Sequence, residues 1–266
     1  MGTNKVNLTA IVVIAGLLFS LAVSAQKENT GGVKKIQALP RDLEIQLALS
    51  ALPPHLRDSA TVYVLNPDKG FEVARKSTDK FYAFVARTGD DAMRGSWPLK
   101  EYPVNVLYPI AFDHAGFKAQ MRVFFDIAQM QAKGVPAEVC KKTIQDRYKK
   151  NYYKAPERAG ISYMLSPILS TYTNPEENDD VQTYCIPHVM YYAPNVSNKD
   201  VGGGMPAGTY PFVILSGPHG YNIQLLGQTE RAAIKKDYGE LLARLCQINS
   251  AWCSPKDPPS TFEHHH

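Results

Sequence analysis

Between residues 60 and 87 the chain reads "ATVYVL", "FEVARK" and "FYAFVAR", separated by "NPDKG" and "STDK". Branched and aromatic side chains suit a pleated surface, and both spacers are rich in turn formers. This pattern constrains the fold more than any other stretch: it demands a sheet and predicts an antiparallel meander over 60–87.

Helical spacing of Leu43, Leu47 and Ala51 predicts a helix over 41–52 that stops at Pro53-Pro54. A stripe of Phe117, Met121, Phe124 and Ile127 predicts a second helix over 115–134, ending at Gly134. Pro136 opens a third in the favoured first-turn position. The segment 88–113 has no clear period, 160–172 reads as either strand or short helix, and "PEENDD" (175–180) reads as an acidic loop. Strands follow at 182–192, 210–216 and 221–227, the last two joined by a Gly217–Gly220 hairpin and preceded by a Gly-rich connection over 193–209. An amphipathic helix is expected over 229–248. The order predicts an α+β domain with an antiparallel sheet of five or six strands and helices packed mainly on one face.

Residues 10–23 form an apolar run followed by Val23-Ser24-Ala25, the small-residue pattern of a signal peptide cut before Gln26. An uncleaved anchor is the competing reading, although the run is shorter than the ~20 residues that span a bilayer comfortably. The expected division is a signal peptide at 1–25, a flexible lead at 26–40, one domain at 41–252 and a tail at 253–266. The terminal histidines 264–266 resemble a tag. Location is then periplasmic or secreted, with no stable membrane insertion after cleavage. The formal charge of +4 falls to +3 without residues 1–25, too weak a field to favour nucleic acid or an anionic membrane. Four cysteines in an exported chain suggest disulfides. Cys246 with Cys253 is the favoured pair, and Cys140 with Cys185 would complete the set, although either could equally be a small buried residue.

The stretches "PPHLRDSATVYVL", "SYMLSPIL", "HVMYYAPN" and "GPHGY" together resemble a group of uncharacterised exported bacterial proteins. The resemblance covers residues 40–250. It implies one exported domain and brings no activity, cofactor or catalytic residue.

Three histidines directly follow prolines: His55, His188 and His219. If the late strands are neighbours, His188 and His219 can approach each other, with Asp113 as the candidate carboxylate and His114, which follows it, as a candidate binding residue. Two imidazoles and a carboxylate would suit a divalent transition metal or an acid–base pair. No H-x-H, H-E-x-x-H or paired C-x-x-C spacing supports a metal, and no cofactor is expected. Each histidine can equally bridge a loop. A Cys185/His188 dyad would need Pro187 to distort the strand, since residues three apart face opposite sides. Ser216-Gly217 and Ser166-Pro167 are poor nucleophile turns. The "GGGMPAG" run (202–208) lacks the Lys-Ser/Thr that holds phosphate, and Asn195-Val196-Ser197 matches a glycosylation acceptor of no consequence in a bacterial product. The run "DRYKKNYYKAPER" (146–158) could contact an anionic polymer, or could place Tyr148 and Tyr152 on the core. The leading expectation is a small-molecule-binding module, its pocket formed by 193–209, the 217–220 hairpin, Tyr191, Tyr192 and Tyr221. A hydrolase or lyase using His188 and His219, and a structural or interaction protein, are the alternatives.

Overall fold

The structure is a computed structural model and describes residues 36–89, 102–172, 181–202 and 210–257. The expected signal peptide, the acidic loop at 175–180 and residues 203–209 of the Gly-rich connection lie outside the described residues. So do most of the lead and the tail beyond Asp257.

The described strands are β1 (Thr61–Asn66), β2 (Gly70–Arg75), β3 (Tyr82–Ala86), β4 (Tyr108–Phe112), β5 (Ile161–Met164), β6 (Leu169–Tyr172), β7 (Val181–Tyr184), β8 (His188–Tyr192), β9 (Phe212–Leu215) and β10 (Tyr221–Leu225). Eight of them form one sheet in the order β2-β1-β3-β4-β5-β8-β10-β9, and β6 pairs with β7 separately. All pairs are antiparallel except β1 with β3, which run parallel.

Two expectations about the sheet are corrected. The meander would place β2 in the middle, yet β1 lies between β2 and β3. Burial gives the reason: β3 is buried along nearly its whole length, whereas β2 exposes Glu72 and Val73. A strand hidden on both faces belongs inside the sheet, and a charged one suits its edge. The strand count is eight rather than five or six. Strand β4 is wholly buried but carries Pro109, a residue normally confined to edges and bulges. Only Ala111 and Phe112 of β4 pair with β5. Breaks after Met164 and Tyr184 also turn 160–172 and 182–192 into two strands each.

The described helices are α1 (Arg41–Ser50), α2 (Pro54–Arg57), α3 (His114–Ala119), α4 (Met121–Ala132), α5 (Ala137–Lys149), α6 (Gln228–Asp237) and α7 (Gly239–Ile248). They cover both faces of the sheet, not mainly one. Residues opposite one another in a ladder share a face, so Phe84, Ile110, Phe112, Met190 and Ile223 pack on α4 and α5 through Met121, Phe124, Ile127 and Ile144. On the reverse face Val62, Ala83, Val85 and Ala111 meet Leu43, Leu47, Leu241 and Leu245 of α1 and α7. Leu39 and Ile36, expected in a flexible lead, are buried, Leu39 in the layer of α1 and α7 and Ile36 in a small cluster with Leu65 and Ala128. Cys246 and Cys253 form the disulfide expected of them, with an S–S distance of 1.98 Å. Cys140 and Cys185 are both free and buried, in correction of the second pair.

Two polar features are built into the interior. Tyr192 is wedged against two glycines: a Cβ on Gly116 would sit 1.9 Å from its hydroxyl, and one on Gly160 would sit 2.8 Å from its ring. Glu44 and Arg87, with side chains 1% and 4% exposed, face each other at 3.7 Å beneath α1. Glu44 accepts a hydrogen bond from the Leu65 amide at 3.0 Å.

Candidate functional site

The ladder separates the two histidines expected to converge. His188 stands opposite Leu225 at one end of the β8–β10 pair, while Tyr192 stands opposite Tyr221 at the other. Four residues of strand span roughly 13 Å, and His219 lies beyond Tyr221. His188 is buried, with Nδ1 2.7 Å from the Ile186 carbonyl oxygen. His55 is exposed in α2. His114 Nδ1 lies 3.2 Å from the Tyr82 hydroxyl, in a stack of Tyr82, His114 and Phe117. Asp113 caps α3 by accepting from the Gly116 amide at 2.8 Å. Among the described residues no group of three His, Cys, Asp or Glu could hold a metal ion.

The other expected groups also part company. Cys185 is buried, and burial pushes its thiol up to about 11, opposite to an activated nucleophile. Ser166 is buried and accepts from Ser50 at 2.9 Å. Tyr192 and Tyr221 face the core, each 3% exposed, whereas Tyr191 is exposed on the opposite face of the sheet. Neighbours in a strand alternate, so these three tyrosines do not line one pocket. A shallow groove of about 390 Å³ opens on the reverse face, lined by Val189, Gln224, Leu225, Leu226, Gly227 and Glu230. It holds no acid–base pair.

What the fold does assemble is an edge where the hairpin meets the end of α5. The Asn195 amide donates to the Gly217 carbonyl at 2.7 Å and the Ala193 amide to the Gly220 carbonyl at 2.9 Å. This clasps the hairpin to the start of the long connection. Gly220 is required there, since a Cβ would meet three carbonyl oxygens at 2.9 Å. Helix α5 ends in a left-handed residue, Asn151, at φ 52°. Asn151 donates to the Tyr148 carbonyl at 2.9 Å and Tyr152 to the Arg147 carbonyl at 2.8 Å. That is the Schellman arrangement, with Asn replacing the usual Gly. It swings Tyr152 and Tyr153 off the helix axis and back beside Arg147.

The result is a continuous ribbon of rings and guanidinium groups. His219 packs edge-on against Tyr148, with centroids 5.1 Å apart. Tyr148 lies 4.8 Å from Tyr153, and Tyr153 lies 5.2 Å from Tyr152. The guanidinium carbons of Arg122 and Arg147 stand 4.2 and 5.0 Å from the Tyr152 ring centroid. Arg122 also donates to the Tyr152 hydroxyl. Beneath, Asp126 Oδ2 accepts from Arg147 at 2.8 Å and from the Tyr153 hydroxyl at 2.9 Å. Tyr152, Arg122, Lys149, Lys150 and Lys154 are exposed. Burial holds the His219 imidazole below its ordinary range, and a hydrogen bond to the Tyr153 backbone partly opposes this. Burial likewise raises the Tyr148 and Tyr153 hydroxyls, which stay neutral.

The expectation from sequence kept the 146–158 run and the 217–220 hairpin as separate candidates; the structure joins them. Arg122 and Asp126 were missed, because their part in the ribbon depends on α4 and α5 lying side by side. Comparison with protein-family models, curated proteins and solved structures found no match.

Proposed function

We propose that the protein is an exported ligand-binding module whose contact surface is this ribbon at the hairpin–α5 edge. The observation that carries the reading is the grip of two guanidinium groups on a half-exposed Tyr152. An exposed ring held by two charged groups, one of them (Arg147) anchored by Asp126, is a preformed recognition surface with little ordering left to do on binding. Export agrees with the disulfide and with the absence, among the described residues, of a helix long and apolar enough to cross a membrane. The resemblance to exported bacterial proteins points the same way. An acid–base enzyme using His188 and His219 has less support, since the ladder sets His188 at the far end of the β8–β10 pair from the hairpin that carries His219.

A thermal-shift screen of the full chain against a panel of small anionic, aromatic and sugar ligands tests the reading. A ligand at 100 times its dissociation constant adds about 2.7 kcal/mol, and Tyr152→Ala should abolish that shift. Ligands that stabilise wild type and Tyr152→Ala equally would move the site elsewhere and overturn the proposal.

A further inference from the structure

We infer that the ligand of this edge is an acidic polysaccharide, a chain of sugar rings bearing carboxylate or sulfate groups. The inference rests on the proposed binding role and adds the chemical class. Its first support is the state of Arg122. Among the described residues no carboxylate lies within ion-pair distance of its guanidinium, which is exposed and held over the Tyr152 ring. One Arg122 N–H group donates to the Tyr152 hydroxyl, and the planar guanidinium fork matches a carboxylate or sulfate.

The second support is the charge balance around it. Asp126 is answered by Arg147 at 2.8 Å, so its negative charge does not cancel Arg122. Lys149, Lys150 and Lys154 add exposed positive charge on the same turn and the segment that follows. A ligand carrying repeated anions fits several such cations better than a single small anion does. The third support is Tyr152, the exposed ring of the ribbon, which offers an apolar edge beside the charges for the C–H groups of a sugar.

Nucleic acid and anionic lipid fit less well. Single strands bind by stacking bases on open aromatic faces, and here guanidinium groups already stand over Tyr152. A membrane surface takes an amphipathic element with apolar groups to insert, and the ribbon presents one half-exposed tyrosine.

Isothermal titration of the full chain provides the test, with polygalacturonate, dextran sulfate, neutral dextran, a single-stranded oligothymidylate and phosphatidylglycerol vesicles as probes. At least one acidic polysaccharide should bind while neutral dextran does not, and binding should weaken steeply with salt. Which of the two binds tells carboxylate from sulfate. Arg122→Ala and the double variant Lys149→Ala/Lys150→Ala should each weaken binding about tenfold, and Arg122→Lys should not restore it, because an ammonium lacks the fork. Tighter binding of the oligonucleotide or vesicles, or polysaccharide binding untouched by Arg122→Ala, would overturn the inference. If both polyanions fail but a neutral ligand binds in a Tyr152-dependent way, the binding role stands and the ligand class falls.

Discussion

Glu44–Arg87 and Asp126–Arg147 are both arginine–carboxylate pairs, and they are built in opposite ways. The first is buried with its nearest atoms 3.7 Å apart, and among the described residues none of the three guanidinium nitrogens of Arg87 has a hydrogen-bond partner. Burial pushes the Glu44 carboxyl up and the Arg87 guanidinium down, each towards its neutral form. Removal from water therefore outweighs the attraction between the charges. At the edge, Asp126 and Arg147 meet at 2.8 Å, partly buried, and Tyr153 completes the carboxylate. The interior pair loads the scaffold with charge that must stay paired. The edge pair is satisfied and holds Arg147 against a surface ring. Similar residues are thus a cost that must stay paired in one region and a means of presentation in the other.

Breaking the interior pair should have the largest effect. Glu44→Gln leaves Arg87 buried without a counter-charge, and should lower unfolding free energy by about 3–5 kcal/mol in urea titration. Glu44→Gln/Arg87→Met, which removes both charges, should recover most of that loss. A single-variant loss below about 1 kcal/mol would erase the contrast. At the edge, Asp126→Asn should lower stability by only about 1 kcal/mol, since the amide oxygen can still accept from Tyr153 and Arg147 is partly exposed. The same change should weaken ligand binding, as Arg147 loses its anchor. An affinity equal to wild type would show that Arg147 needs no anchoring there.

The smallest effect concerns His219. Its folded-state imidazole sits below the ordinary 6.5, so the unfolded chain takes up a proton first as pH falls. Stability from this group is present above 6.5 and is lost as pH drops through the folded value. Urea midpoints measured across that range should decline for wild type and decline less for His219→Gln. Equal slopes would remove His219 from the buried end of the ribbon.

Much of the frame was legible in local pattern. The helix stop at Gly134, the hairpin at 217–220 and the Cys246–Cys253 disulfide follow from backbone demands and short separation. What escaped depends on distant segments. Nothing between 60 and 87 states that β3 passes β2 to lie beside β1, because both orders bury the same apolar residues locally. Strand β4 was hidden by Pro109. The separation of His188 from His219 follows from register, which needs the partner strand. The ribbon was half visible: the tyrosines and lysines of 146–158 stood out, but a helical reading set Tyr152 on the same stripe as Tyr148. Asn151 was the overlooked signal, an αL-tolerant residue placed to end the helix and turn Tyr152 outward.

The central claim is that the edge recognises a ligand and is not merely part of the scaffold. Parallel measurement of unfolding free energy and polygalacturonate or dextran sulfate affinity in Tyr152→Ala addresses it most directly. The account predicts at least a tenfold loss of affinity with a stability change under about 1 kcal/mol, the size of exposed cation–ring contacts. Affinity unchanged beside a loss of several kcal/mol would contradict it and return Tyr152 to the scaffold.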